Sequence, residues 1–321
     1  MKIYFAGLGG HIDLTHPTHC RLTEEQNSLM LDFMRKLPEF EPILESMYRR
    51  LGVKIYGSIN KFDYELTKEA LTNVLVSFAY MKDSVDWAIE LNENYDLFVD
   101  SGAFSARHSG AEIDIDEYIE WLGKVEPEVI AGLDVIGDPI ATEKNIAYME
   151  EAGLVVLPTY HPGEELHYLK AMVERYDYIA LGGIASLGER TKAEGWLKKS
   201  WRTIYEMGRT DLKVHGFGMT NKELMGRFPW HSVDSTSWLA GVRFGRIERS
   251  TGEMVHVDTW LREQHGNEDD NPDFWLEEND VVRRKVILLA ALEQVQRTER
   301  ELTEHYLTYD WEWLTQQYEL L

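Results

Sequence analysis

The stretch YIALGGIASLGERTKAEGWLKKSWRTIYEMGRTDLKVHGF, residues 178–217, predicts how the chain is built. It opens with a short apolar strand, continues into an amphipathic helix over 191–207, and closes with a second strand at 212–217. A strand, a helix and a strand in this order are typical of parallel strands joined by a right-handed crossover. The stretch is therefore interpreted as one βαβ unit.

The same alternation extends from this unit in both directions. Strand-like runs lie at 2–6, 74–80, 97–100, 129–134, 154–157, 178–182, 212–217 and 231–234. Helix-length amphipathic segments separate most of them and lie at 83–93, 115–124, 139–152, 163–175, 191–207 and 220–226. Eight units over about 230 residues predict an α/β fold, a (β/α)8 TIM barrel, and a doubly wound open sheet is the alternative.

The chain is predicted to divide into a barrel over 1–240 and an extension over 241–321. The stretch 10–73 is longer than a minimal barrel needs, so it predicts an elaborated first crossover. The pieces expected outside the regular units are helices at 22–36 and 40–51 in that crossover, then a C-terminal hairpin at 242–258 turning at 250–252 and a long helix at 276–305. The hairpin and the helix are expected to pack on the barrel.

The composition favours a large folded core. Of the 321 residues, 44% are hydrophobic and 12% are aromatic, which excludes a disordered chain. Cys20 is the one cysteine, so a disulfide framework is excluded and a reducing, intracellular setting is expected. The N-terminal apolar run is too short for a signal peptide, and no stretch approaches the roughly 20 apolar residues of a membrane span. We therefore expect a cytoplasmic protein.

The charge is distributed unevenly along the chain. The formal net charge is −23, yet residues 190–249 carry 12 Lys and Arg against 6 Asp and Glu. Aromatic residues are interleaved with these cations, which is typical of nucleic-acid contact, although a solvated helix face around Trp196 and Trp201 explains the first part equally well. The cations expected to contact a nucleic-acid backbone are Lys198, Lys199, Arg202, Arg243 and Arg246.

Three acidic residues end predicted strands. They are Asp100 in LFVDSGAFS, Asp134 in GLDVIGD and Asp234 in HSVDSTSW. The carboxyl ends of barrel strands form the active face, so these side chains are expected to face a substrate. Taken singly, each could instead form a cap or a turn. Two carboxylates beside one anomeric carbon can act as nucleophile and proton carrier.

Other predicted strands end in residues suited to a planar ligand. The glycine pair Gly182 and Gly183 lets a flat ring approach the backbone amides. The segment HGFG offers an aromatic-sized face at His215 or Phe217. Together with the acids, these residues predict a pocket for a planar, hydrogen-bonding ring next to a carbon that is attacked.

Several of these motifs resemble those of the tRNA-guanine transglycosylase superfamily. DSGAFS at 100–105 is similar to the DSGGFQ motif of that family, and LGGIAS at 181–186 is similar to GGLAVGE. GLDVIGD falls where the family has its base-recognising aspartate, and HGFGMT followed by SVDSTSW resembles its MGVG segment and nucleophile strand. Order and spacing agree over roughly residues 95–240.

The resemblance implies a double displacement through a covalent glycosyl-aspartate. Asp234 would be the nucleophile and Asp100 the general acid/base, with guanine leaving and a 7-deazaguanine entering. The resemblance also implies a set of contacts to the base. Asp134 would bind the amine edge, the amides of Gly182 and Gly183 would bind the carbonyl, and Phe104 and His215 would lie on the two ring faces. Ser101 would also contact the base, and Tyr160 or His161 would replace the glutamine of the family's GIVQGG segment.

The departures from the family pattern narrow the range of expected substrates. The tRNA enzymes hold a structural zinc with three cysteines and a histidine after the nucleophile strand. This chain has no cysteine there. Neither zinc nor another cofactor is therefore expected. The RNA-binding domain that is appended in the archaeal members of the family is not expected in this chain either. The chain thus resembles most the zinc-less, DpdA-like DNA-guanine transglycosylases of phages, which favours DNA over tRNA and requires a flipped nucleotide.

Other functions remain as alternatives. A TIM-barrel hydrolase of a small sugar could use the same acids, but it has no need of the basic segment at 190–249. A catalytically silent nucleic-acid binder has no need of Asp100 and Asp234. The oligomeric state and any partner protein are left open.

A histidine-rich cluster follows the first predicted strand. It consists of His11, Asp13, His16, His19 and Cys20, and such density can mark a metal site. The spacing fits no metal pattern, and the histidines could instead meet a phosphate or the substrate, so no metal is predicted.

Overall fold

The structure is a computed structural model. It describes residues 2–4, 11–13, 54–58, 68, 71–104, 112–219, 221–235, 245–248, 253–256, 259, 280–307, 309, 311 and 314. The chain forms two compact units, each discontinuous in sequence. The first unit comprises Met1–Lys54, Tyr160–Val233 and Thr298–Leu321, and the second comprises Ile55–Thr159 and Asp234–Arg297.

Strands and helices alternate through the middle of the chain. The strands are β1 Lys2–Tyr4, β2 His11–Asp13, β3 Lys54–Ser58, β4 Asn73–Ser77, β5 Asp96–Asp100, β6 Val129–Ala131, β7 Val156–Leu157, β8 Thr159–Tyr160, β9 Tyr178–Leu181, β10 Lys213–Gly216, β11 Ser232–Ser235, β12 Arg246–Glu248 and β13 Met254–His256. The α-helices are α1 Phe78–Met81, α2 Val85–Asn94, α3 Ile115–Val125, α4 Pro139–Glu151, α5 Leu166–Arg175, α6 Arg190–Glu206, α7 Lys222–Arg227 and α8 Asp280–Leu307.

The second unit is built on the parallel strands β3 to β7, which lie in chain order. The register places Gly57 opposite Val74 and Ser77 opposite Asp100. The central residues of β4 and β5 are apolar and buried, as expected of parallel strands that are covered on both faces. Helices α2 and α3 supply further buried side chains, among them Leu91, Tyr118, Trp121 and Leu122.

The first unit is built on β8, β9, β10 and β11 in that order, and β9, β10 and β11 are parallel. Its core centres on Trp201 of α6, which is fully buried. The Trp201 ring packs edge-on against Trp230 at 5.4 Å and parallel to Phe228 at 6.4 Å. These two aromatic residues lie between α7 and β11, so α6 anchors the chain that leads into β11.

Side chains of the C-terminal segment hydrogen-bond the end of α7 in the same unit. His305 Nε2 hydrogen-bonds the Gly226 carbonyl at 2.8 Å, and the Tyr309 hydroxyl donates to the Arg227 carbonyl at 2.7 Å. The Tyr306 hydroxyl donates to the Met225 carbonyl. These side chains satisfy carbonyl groups that the end of a helix leaves without intrahelical partners.

Most predicted elements are confirmed. The seven predicted strands from 74–80 onward each overlap an observed strand, and the six predicted helices agree with α2 to α7 within three residues at either end. Side-chain caps explain the helix starts: Asp114 accepts hydrogen bonds from the amides of Asp116 and Glu117, and Asp138 accepts one from Ala141. The hairpin is confirmed as the antiparallel pair β12 and β13, and the long helix as α8.

The first predicted strand requires a correction. Residues 2–4 form β1, but β1 pairs antiparallel with β2 in a separate two-stranded sheet. The parallel set contains β3 instead, which falls in the stretch predicted as a first crossover, 10–73. The sequence of β3, KIYGS, has polar ends and an internal glycine, so it lacks the apolar run by which the other parallel strands were identified.

Some predictions remain untested. The helices predicted at 22–36 and 40–51 and the turn at 250–252 lie outside the described residues. The domain boundary at 240 and the closure of the parallel strands into a barrel also stay predictions. The α/β class with parallel strands is confirmed. In the part of the chain that the structure describes, no helix is long and apolar enough to cross a membrane.

Candidate active site

Asp100 is the last residue of β5 and is partly exposed. The backbone amides of Ser101 and Gly102 donate hydrogen bonds to its carboxylate. The pKa of Asp100 is raised from 3.8 to about 6: burial raises it most, the negative charge of Asp234 also raises it, and the hydrogen bonds from the two amides partly offset the rise. The carboxyl group can therefore both give and accept a proton near neutral pH.

Gly102 explains why the turn after β5 reads Asp-Ser-Gly. Its φ of +84° lies in the left-handed region, and a Cβ there would lie 2.5 Å from the Ala79 Cβ and 2.6 Å from the Ser77 Oγ. No side chain fits at this distance, so the position requires glycine. Gly102 also supplies one of the two backbone amides that hydrogen-bond Asp100.

Asp234 lies in β11 and Asp134 follows β6, and both carboxylates act on groups around Asp100. Asp234 and Asp100 are close enough for their charges to interact. The Tyr118 side chain of α3 is fully buried, and its hydroxyl donates to the Ala131 carbonyl at 3.0 Å. Burial raises the pKa of Tyr118 well above its usual value, and the charges of Asp100 and Asp134 raise it further. Asp100 thus interacts with Asp234 and, together with Asp134, with the buried Tyr118.

The loop that carries Asp134 is held by α4. The Val135 amide donates to the Thr142 hydroxyl at 2.8 Å, and the Asn145 amide group donates to the Leu133 carbonyl at 3.0 Å. Asp138 caps the same helix. These contacts on both sides of Asp134 fix its backbone without using its carboxylate.

Phe104 and Ser101, both predicted to contact the base, have different environments. Phe104 is 59% exposed and lies four residues after Asp100 in the chain. Ser101 is buried, and its hydroxyl accepts a hydrogen bond from the Ala103 amide at 3.4 Å. Phe104 is therefore suited to its predicted role, whereas the Ser101 side chain stabilises the turn.

The predicted base contacts of the first unit lie around the ends of β8 and β9. The Gly182 amide donates to the Tyr160 carbonyl at 3.0 Å within the sheet, so only the Gly183 amide remains for the predicted contact to a ligand carbonyl. The Tyr160 ring is buried and stacks on Trp196 at 5.7 Å. Of the two candidates to replace the family glutamine, His161 is the more exposed.

His215 belongs to a buried polar group rather than to a surface. Its Nδ1 shares a hydrogen bond of 2.7 Å with the Ser232 hydroxyl, which also contacts the Tyr178 hydroxyl at 2.5 Å. The His215 side chain is fully buried, and its ring meets the partly exposed Phe217 edge-on at 4.5 Å. Phe217 is thus better placed than His215 for the predicted stacking on a base.

Two of the predicted phosphate-binding cations form ion pairs on α6. Lys198 Nζ lies 2.8 Å from Glu194, and Arg202 Nε lies 2.6 Å from Glu206. Pairs four residues apart on a helix are weak and open readily, so they do not block contact with a phosphate. Lys199 and Arg246 are exposed, and Arg243 lies outside the described residues.

Sequence reasoning missed two neighbours of the acids. Tyr118 lies on the apolar face of an amphipathic helix, where a tyrosine normally indicates core packing alone. Ser77, opposite Asp100 in the register, was assigned to the interior of a longer strand at 74–80. Ser77 can be recognised as strand-final only because β4 ends there and the chain enters α1 directly afterwards.

The residues that the structure describes contain no group of three His, Cys, Asp or Glu side chains suited to a metal ion. Of the histidine-rich cluster, His11 and Asp13 lie on β2. His16, His19 and Cys20 are outside the described residues. The question of a metal at this cluster therefore stays open.

Comparison with known proteins assigns no family. No family model matches the chain, and no curated protein matches it. Among solved structures, the chain is similar to the carboxyl transferase domain of Rhizobium etli pyruvate carboxylase with 3-hydroxypyruvate, at 12% identity and a TM-score of 0.43. The match covers 81% of this chain and 49% of that chain, so this chain spans about half of its length.

Proposed function

We propose that the chain is a pentosyltransferase that exchanges guanine in DNA for a 7-deazaguanine base. The observation that carries this proposal is the pairing of Asp100 and Asp234. One carboxyl group has its pKa raised to about 6 and is held by two backbone amides, and the other lies close enough to act on it. Two neighbouring carboxyl groups, one of them with a raised pKa, are suited to the roles of nucleophile and proton carrier in glycosyl transfer.

Asp234 is the nucleophile of the proposed reaction. Its carboxylate attacks C1′ of the target nucleotide, the bond from C1′ to guanine breaks, and Asp100 gives its proton to the leaving base. A 7-deazaguanine then enters and loses a ring proton to the Asp100 carboxylate. Its nitrogen attacks C1′ and releases Asp234. The cycle needs no redox partner and returns both acids to their starting states.

The fold in this proposal is a closed (β/α)8 barrel whose first strand is β3. Pro158 separates β7 from β8, and proline has no N–H to continue a ladder. The carboxyl ends of barrel strands form the active face, and Asp100 and Asp234 lie at or near the end of their strands.

A nucleic-acid substrate is supported by the cations of residues 190–249 and by the exposed ring of Phe104. DNA is preferred to tRNA because the motifs resemble those of zinc-less transglycosylases and the zinc-binding cysteines are missing. The target nucleotide would be flipped out of the stack to reach Asp234. The chemistry described for the two acids does not call on a cofactor.

The test is base exchange with radiolabelled guanine. The full chain is incubated with labelled guanine and with either DNA or tRNA, and the label in each polymer is counted. Asp234→Asn and Asp100→Asn are compared with Asp96→Asn, which changes an acid at the opposite end of β5. We expect label in DNA, its loss in the first two variants and its retention in the third. Label in neither polymer, or full exchange by Asp234→Asn, refutes the proposal.

A glycoside hydrolase of a small substrate is the second candidate. It would use the same pair of interacting acids, Asp100 and Asp234, at the anomeric carbon of a sugar. Hydrolysis of a nitrophenyl glycoside by the wild type, lost in Asp234→Asn without exchange of guanine, would select this candidate.

A further inference from the structure

Two arginines that are far apart in the sequence lie together on helices α6 and α7. Arg190 is the first residue of α6, and Arg227 is the last residue of α7. Arg190 Nη2 lies 2.5 Å from Oε1 of Glu223, and Arg227 Nη2 lies 3.0 Å from the same oxygen atom. The two guanidinium groups therefore flank one carboxylate oxygen. Neither arginine is among the cations that the sequence predicted to contact a nucleic acid.

Glu194 of α6 completes this cluster of charges. It forms ion pairs with Arg227 and with Lys198, whose Nζ lies 2.8 Å from Glu194 Oε1. Among these five side chains, three cations share two carboxylates, so positive charge is in excess. All five residues belong to the first unit.

The arginine pair, Arg190 and Arg227, is accessible to solvent and is carried by well-anchored helices. The two side chains are 50% and 40% exposed, whereas Glu194 is only 14% exposed. The Tyr309 hydroxyl donates to the Arg227 carbonyl at 2.7 Å, and α6 packs into the core through the fully buried Trp201. Guanidinium groups that are already ordered lose less conformational entropy when they bind an anion.

We propose that the arginine pair binds a phosphate group of the DNA backbone, and that the Glu223 side chain holds both guanidinium groups in position for it. This inference rests on the proposed function, in which DNA is the substrate. A guanidinium group offers a planar fork of N–H donors that matches two phosphate oxygens. Two such groups beside one carboxylate oxygen carry more positive charge than that carboxylate neutralises, and a phosphodiester supplies the further negative charge.

The charge of Glu223 distinguishes this role from a purely structural one. The carboxylate neutralises part of the charge that attracts a phosphate, and an exposed ion pair of this kind is weak because water screens it. Gln at position 223 keeps an amide oxygen that accepts hydrogen bonds from both arginines, but it carries no negative charge. Glu223→Gln should therefore strengthen DNA binding. Loss of a purely structural ion pair would lower stability without strengthening DNA binding.

A second pair of an arginine and a glutamate supplies matched controls. Arg297 Nη2 lies 3.4 Å from Glu293 Oε1 on α8, and these side chains are 35% and 76% exposed. Arg297→Gln and Glu293→Gln thus repeat the two charge changes at another exposed ion pair. A difference between the two sets of variants separates a local contact from an effect of net charge.

The experiment measures binding of fluorescently labelled duplex DNA by the full chain, from anisotropy at a series of salt concentrations. Arg190→Gln should raise Kd about tenfold at about 50 mM salt and lower the slope of log K against log salt by about one. Glu223→Gln should lower Kd at least about twofold, and both control variants should stay within about twofold of the wild type. In the exchange assay, Arg190→Gln should raise KM for DNA while kcat changes less than about twofold.

Several results would overturn the inference. Equal DNA affinity in Arg190→Gln and the wild type would do so, and exchange that still depends on Asp234 would then leave the proposed function standing. Equal weakening by Arg297→Gln would mean a general effect of net charge, and weaker binding by Glu223→Gln would mean a structural ion pair. Saturable binding of inorganic phosphate alone, lost in Arg190→Gln, would define a site for a free anion instead. If the wild type neither binds DNA nor exchanges a base, the inference and the proposed function both fail.

Discussion

Replacing Asp100 with asparagine should stabilise the protein at neutral pH. Burial raises the pKa of the Asp100 carboxyl group from 3.8 to about 6. The folded state therefore binds this proton more tightly than the unfolded chain does, so stability falls as pH rises through the interval between these two values. A shift of about two units corresponds to about 3 kcal/mol of lost stability above pH 6. Asparagine carries no charge and removes this loss.

The assay is urea unfolding of the wild type and Asp100→Asn at several pH values. At pH 4.5 the wild-type loss is only about 1 kcal/mol, so the advantage of the variant should be about 2 kcal/mol larger at pH 7.5 than at pH 4.5. Asp96→Asn, which makes the same change at the other end of β5, is the control variant. A variant that is less stable than the wild type at pH 7.5, or an advantage that does not change with pH, refutes the reasoning. Asp100→Asn should also lose base exchange while it gains stability.

Three further changes test the surroundings of the site. Gly102→Ala should destabilise the second unit by about 2–5 kcal/mol in urea unfolding, because the new Cβ would meet Ala79 and Ser77 and the φ of this residue is +84°. Gly123→Ala is the control: this glycine lies in α3 with open space around it, so the change should stabilise the protein by up to about 1 kcal/mol. Equal changes in the free energy of unfolding for the two variants would contradict this reasoning. Tyr309→Phe should cost about 1 kcal/mol in the same assay by removing the hydrogen bond to the Arg227 carbonyl, with an unchanged midpoint as the contrary result. Ser232→Ala should lower the free energy of unfolding by about 1–3 kcal/mol, because it removes a hydrogen-bond partner from the buried His215 and from Tyr178. A decrease of less than about 0.5 kcal/mol would show that these hydrogen bonds do not stabilise the protein.

The helices could be predicted closely because their signals are local. Asp114, Asp138 and Asn221 each stand one residue before a helix and accept a backbone hydrogen bond at its start. The apolar runs of β4 and β5 fill both faces of a parallel sheet, so they are recognisable without knowledge of their neighbours. Position at the end of a strand likewise identified Asp100 from the order of residues alone.

The remaining features depend on distant parts of the chain. Strand β3 has a weak local pattern and is defined by its partner β4, which begins 15 residues after β3 ends. The Gly182 amide is used by the carbonyl of Tyr160, and no local pattern shows which of two adjacent glycines keeps its amide.

Three features that lower the stability of the fold lie together where β4 and β5 end in the second unit. Asp100 has a raised pKa, Gly102 requires a positive φ, and the Ser77 hydroxyl opposite Asp100 is buried without a hydrogen-bond partner among the described residues. Each of these lowers stability, since an unpartnered buried hydroxyl alone costs about 1–3 kcal/mol. A core position selected for stability would have lost such features singly, because an apolar residue or an ordinary turn could replace each one. Their coincidence at the end of two adjacent strands is the pattern expected where binding or catalysis, rather than packing, determines the residues.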